Sequence, residues 1–161
     1  MAKVWLICGV ICSGKSTLAR ELAEREGAVI LSCDELTKAL GDDLGALHDA
    51  VAARVQLYLR QKAVELVRVG VNVILDWGFW RAADRAAMCR YLGENGIEYE
   101  WRYMDVSPQQ LRRNIERRNA HPGASDYIVD DGLLQKCLSI FEPPTEGELM
   151  EALHCDRLTA R

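Results

Sequence analysis

The residues best equipped for chemistry lie near the start of this 161-residue chain. Residues 9–16 read Gly-Val-Ile-Cys-Ser-Gly-Lys-Ser: a glycine, four residues, a second glycine, a lysine and a hydroxyl residue. At that spacing Gly9 and Gly14 let the backbone turn tightly, so the N–H groups around Cys12, Ser13 and Gly14 can converge on phosphate oxygens. Lys15 can then bridge the β- and γ-phosphates of ATP, Ser16 can offer its hydroxyl to Mg2+, and Thr17 can reach the α-phosphate. This chemistry is the capture of Mg·ATP, and the remaining polar residues bear on the fate of the γ-phosphate.

Two aspartates follow apolar runs. Asp76 closes Val73-Ile74-Leu75, where a carboxylate could hold Mg2+ or orient an acceptor, or else cap the next helix. Asp34 follows a second run and could orient an acceptor hydroxyl and take its proton. A helix N-terminus favours a negative charge there in any case. Arg112, Arg113, Arg117 and Arg118 crowd into seven residues. Arg113 and Arg117 stand one turn apart on one face and are expected to neutralise the transferring phosphoryl group from a mobile lid. At least two of the four arginines are expected on a solvated face, and Arg112 can pair with Glu116. Trp77, Phe79, Trp80, Arg81 and Arg85 could line an acceptor pocket or pack the helix after them. His48, His121 and His154 are isolated, and Asp130 and Asp131 fit helix capping.

These residues need a scaffold of alternating strands and helices. Apolar β-prone runs at 3–8, 28–32, 71–75 and 98–105 alternate with helical patterns at 15–26, 81–95, 108–119 and 130–141, which predicts an α/β domain on a parallel sheet. The second strand is apolar at successive positions, as for a strand covered on both faces, and the fourth alternates as though nearer an edge. Ser32 with Glu35, and Ser107-Pro108 with Gln110, are helix starts. Leu47, Val51, Val55, Leu59, Ala63 and Leu66 form the stripe of a long helix ending at Gly70. His121-Pro122-Gly123 breaks the fifth helix. The tail 145–161 fits either a last strand or a frayed helix. With no repeats or linkers, the expectation is one domain over 1–161 with a small helical lid at about 112–127.

Composition narrows the class. A net charge of −4 disfavours a nucleic-acid partner without excluding a local basic groove. Six cysteines show no zinc spacing, and with no leader or bilayer-spanning run the expectation is a reduced, cytoplasmic protein apart from membranes. No guanine-reading [NT]-K-x-D segment occurs, which argues against a GTPase.

Residues 6–20, Ser32-Cys33-Asp34, the segment Val73 to Arg85 and Leu111 to Asn119 stand in an order that resembles the small P-loop kinases. That group holds polynucleotide 5′-hydroxyl kinase, chloramphenicol phosphotransferase and the zeta toxins. The resemblance covers roughly residues 3–145, and Phe141-Glu142-Pro143-Pro144 is similar to the segment that helps enclose nucleotide in relatives. It implies a three-layer, nucleoside-kinase-like fold, ATP and Mg2+, Asp34 as acceptor-activating base, and Arg113 and Arg117 in the lid. Lys38, Asp76 and Arg81 join Asp34 as expected acceptor contacts. Polynucleotide kinases tend to carry arginine three residues after the catalytic aspartate; Thr37 stands there, which favours a small-molecule hydroxyl. A polynucleotide kinase and an acceptor-free ATPase or switch stay open as alternatives.

Overall fold

The computed structural model describes residues 1–41, 47–122, 128–151 and 155–159. Its elements in order are β1 (Val4–Cys8), α1 (Lys15–Glu26), β2 (Ala28–Ser32), α2 (Cys33–Leu40), α3 (His48–Arg68), β3 (Asn72–Gly78), α4 (Ala82–Glu94), β4 (Tyr99–Asp105), α5 (Pro108–Ala120), α6 (Asp131–Ile140), α7 (Glu146–Glu151) and β5 (Cys155–Thr159). Their boundaries follow local chemistry. The Ser32 hydroxyl accepts from Glu35 N at 3.3 Å to start α2, the Ser107 hydroxyl accepts from Gln110 N at 3.2 Å to start α5, and Asp130 accepts from Leu133 N at 2.7 Å to start α6. Each satisfies a backbone donor that a helix start leaves without an internal partner.

The five strands pair in the order β2-β3-β1-β4-β5, every pair parallel. Alternation along β1 sends Val4, Leu6 and Cys8 to one face, where they meet Ala63 and Val64 of α3 and Met88 and Leu92 of α4. Trp5 and Ile7 face the other way, onto Ala19 and Leu22 of α1. The result is the expected α/β three-layer fold with a parallel sheet. A third apolar cluster joins Val10 of the loop after β1 to Leu111 and Ile115 of α5 and to Leu133 and Leu134 of α6.

Two expectations need correction. β2, expected to be covered on both faces, is an edge strand with no fully buried residue, and Val29 is exposed. β4 lies one strand in from the β5 edge, in keeping with its alternating pattern. β3 runs two residues beyond Asp76 to Gly78, pairing Asp76 with Ser32 and Gly78 with Cys8. The tail resolves into both alternatives, a short helix and then a strand that pairs with β4.

Candidate active site

The loop between β1 and α1 is built by close approach. A Cβ on Gly9 would stand 2.6 Å from Ser13 Oγ and 3.0 Å from Met104 Cβ, so only glycine fits. Ser13 is fully buried and its hydroxyl has no partner among the described residues. Cys12 adopts a left-handed conformation, φ 58°, which is uncommon without glycine. The Val10 carbonyl accepts from Ser13 N at 3.2 Å and from Lys15 Nζ at 2.8 Å. The lysine is thus folded back over its own loop.

Strand ends set the neighbouring groups. Ser16 donates its hydroxyl to Asp76 Oδ2 at 2.8 Å, while Asp76 Oδ1 is buried with no partner among the described residues. A hydroxyl and a carboxylate with one oxygen to spare, beside a phosphate loop, fit Mg2+, which takes one or two protein oxygens and completes its shell with phosphate and water. Asp34 stands two residues beyond the Ser32–Asp76 pairing, in the first turn of α2. Desolvation pushes its carboxyl above the usual aspartate range; Asp76 adds to that rise, while Lys15, His48 and Arg118 oppose it. Desolvation likewise lowers Lys15 from its ordinary value, against the pull of Asp76 and Asp34. The Ser16–Asp76 and Arg118–Cys12 contacts put Asp76 and Arg118 at this loop, and Lys15, Asp34 and Asp76 bear on one another's charge.

The arginine expectation shifts by one residue. Arg118 Nη1 donates to Cys12 Sγ at 3.3 Å, and one turn earlier the buried Asn114 donates Nδ2 to the Cys12 carbonyl at 2.9 Å. Arg117 reaches only Asn114 Oδ1, at 3.4 Å, and Arg113 lies exposed with no hydrogen bond or ion pair among the described residues. Leu111 and Ile115 carry the reason: they mark the inward stripe of α5, and Asn114 and Arg118 continue it, while Arg113 sits on the flank. Apolar phase was the signal that finds Arg118; arginine spacing alone misses it. The expected lid lies partly outside the described residues, over 123–127. At its base Asn119 clasps Val129, donating to its carbonyl at 2.8 Å and accepting from its N at 2.9 Å.

The other expected contacts stand further back. Thr17 is exposed on the first turn of α1, Lys38 is half-buried in the last turn of α2, and Arg81 is exposed at the start of α4. The aromatic run after Asp76 is a brace. Trp77 donates to the Leu31 carbonyl at 2.9 Å and stacks on Phe79, and Trp80 donates to the Gly9 carbonyl at 3.0 Å. A Cβ on Gly78 would stand 2.6 Å from the Trp80 indole nitrogen. Arg85, 4% exposed, binds the Phe79 and Glu142 carbonyls at 3.0 and 2.9 Å and pairs with Glu148 at 2.7 Å. It thereby fastens the Phe141–Pro144 segment to the end of β3. A cavity of about 470 Å3 opens beside this buttress, but none of Lys15, Asp34, Asp76 or Arg118 lines it.

Among the described residues no His/Cys/Asp/Glu group of three could hold a metal by itself, and no helix is long and apolar enough to cross a membrane. The described cysteines Cys8, Cys12, Cys33, Cys89 and Cys137 are free thiols.

Comparison with known proteins points the same way. A sequence profile of the AAA domain family matches residues 4–144. A search of curated proteins returned no significant match. Among solved structures, a candidate kinase from Chloroflexus aurantiacus superposes with a TM-score of 0.70 at 21% identity, covering 98% of this chain and 88% of that one. The Mycobacterium tuberculosis APS kinase in complex with AMPPNP and APS gives 0.62 at 26% identity, with coverage of 98% and 88%. The Pnkp1/Rnl/Hen1 RNA repair complex gives 0.69 at 19% identity, covering 86% of this chain and 43% of that one. With its phosphate loop, its parallel sheet and these neighbours, the chain belongs to the AAA domain family and has the fold of the small P-loop kinases.

Proposed function

We propose that this protein is an ATP-dependent kinase that moves the γ-phosphate of Mg·ATP onto a hydroxyl of a small molecule. The observation that carries the reading is the phosphate loop itself, with Lys15 folded over it, Asp76 on the Ser16 hydroxyl and Arg118 on Cys12. Lys15 would leave the Val10 carbonyl for the β/γ-phosphates, and Ser16 and Asp76 would hold Mg2+. The metal would supply charge neutralisation on the phosphates. Asp34 would orient the acceptor hydroxyl and take its proton as that oxygen bonds to the γ-phosphorus and the bond to the ADP oxygen breaks. A carboxylate with a raised pKa is the better base for this task. Arg118 would neutralise charge on the transferring group, the part assigned from sequence to Arg113 and Arg117. Transfer would then rest on positioning and electrostatics. An acceptor of small size accords with the chain's net charge of −4 and with the APS complex of one structural neighbour.

The test is transfer of labelled γ-phosphate from Mg·ATP into a mixture of metabolites and 5′-hydroxyl oligonucleotides, separated by size. Label in a small molecule is the expected result, lost on Lys15→Ala and reduced about 10²-fold or more on Asp34→Asn with nucleotide affinity kept. Label in oligonucleotides, or free phosphate alone, would overturn the small-molecule reading.

A further inference from the structure

We propose that Asn114 is a positioning residue for the phosphate loop: from α5 it holds the Cys12 carbonyl and so fixes the strained turn that shapes the nucleotide site. The inference rests on the kinase reading only in taking the loop as the nucleotide's seat. Cys12 has φ 58°, a conformation that a residue with a Cβ adopts only at a steric cost, so its surroundings must hold it there. Two contacts do so, both from α5. Asn114 Nδ2 takes the carbonyl at 2.9 Å and Arg118 Nη1 takes the thiol at 3.3 Å. The two residues are four apart and share one helix face. The loop residue is therefore gripped from consecutive turns, through its backbone and through its side chain.

The amide of Asn114 has no freedom to turn. It is 8% exposed, and Oδ1 already accepts from Gln110 Nε2 at 2.9 Å and from Arg117 Nη2 at 3.4 Å. With the oxygen side committed to two donors, the NH2 side must face the Cys12 carbonyl. Holding that carbonyl outward orients the peptide between Cys12 and Ser13 and sets the start of the run of N–H groups that would meet phosphate. Gln110 and Arg117 act at one remove, by orienting the amide. Arg117 thus acquires a part different from the direct one expected of it.

The experiment uses the full chain with Mg·AMPPNP as probe, its affinity measured by calorimetry and the nucleotide-free melting temperature recorded beside it. Asn114→Asp keeps the size and the acceptor oxygen but loses the donor to Cys12. It is expected to weaken Mg·AMPPNP about tenfold, and Asn114→Leu to do the same. Gln110→Met retains Asn114 but releases its amide to turn, and is expected to weaken the probe about threefold; it serves if the Asn114 variants fail to fold. Affinities within twofold of wild type for every folded variant, whatever the melting temperature, would reduce Asn114 to an ordinary buried polar residue and overturn the inference. Wild-type protein that binds Mg·AMPPNP yet transfers no phosphate would sink the kinase reading alone, because the affinity comparison needs no acceptor.

Discussion

Two charged clusters flank the end of β1, and they are built on opposite plans. In the buttress beneath α4, Arg85 meets the Phe79 and Glu142 carbonyls and the Glu148 carboxylate, and Thr145 adds a backbone donor to Glu148. The Arg85 side-chain hydrogen bond holds the Glu148 carboxyl below its usual range. In the crevice above the loop, among the described residues, Lys15 makes do with a carbonyl, one oxygen of Asp76 has no partner, and Asp34 makes no side-chain hydrogen bond. Its carboxyl is pushed up by desolvation. A complete set of partners marks a structural ion pair, while charges held together without them mark a place kept for something else. The difference separates the residues that hold the fold from those that would serve phosphoryl transfer.

The comparison breaks most sharply at the arginines. Arg118→Ala is expected to cut phosphoryl transfer by about 10³-fold, measured as kcat/KM with the acceptor that the labelling experiment identifies, while Arg113→Ala stays within about threefold. Equal effects would return the role to the sequence-assigned pair. On the structural side, Arg85→Met strands Glu148 and two carbonyls, and should cost about 3 kcal/mol of stability in urea melts. A stability unchanged by that substitution would mean that the buttress is decorative.

The smallest effects, and the sharpest in sign, come from pH. A raised Asp34 pKa means that the folded state resists ionisation, a cost present above the ordinary aspartate value near about 3.9. Asp34→Asn should therefore raise the melting temperature at neutral pH, and the gain should vanish in acid. Glu148, with its lowered pKa, contributes stability above its ordinary value near about 4.3 and loses it as pH falls through the lowered one. Glu148→Gln should lower the melting temperature at neutral pH, and that loss should also shrink in acid. Shifts of the same sign in both variants would contradict the contrast.

What the sequence made legible was whatever depends on neighbours along the chain. The phosphate loop, the caps at Ser32 and Ser107, and the break after α5 all follow from spacings of a few residues. Strand order did not, because an apolar run reads the same at an edge, as in β2, and at the centre, as in β1. That Arg118, and not Arg117, reaches the loop was hidden in the sequence, since four arginines in seven residues mask the phase that Leu111 and Ile115 define. Asp34 and Asp76 could be placed at strand ends from sequence, but their shared crevice depends on the pairing of β2 with β3. Asn114 gave no warning at all: its partner lies 102 residues away.

The indole of Trp80, hydrogen-bonded to the Gly9 carbonyl, gives the loop an optical reporter of its own. Indole emission responds to the polarity and hydrogen bonding at its nitrogen, so any displacement of the loop's first peptide will alter the colour and intensity of Trp80 fluorescence. Three other tryptophans, Trp5, Trp77 and Trp101, contribute background, and Trp80→Phe isolates the component that belongs to the loop. Where nucleotide shifts that peptide, its arrival can be timed in a stopped-flow instrument on unlabelled protein, with no acceptor needed.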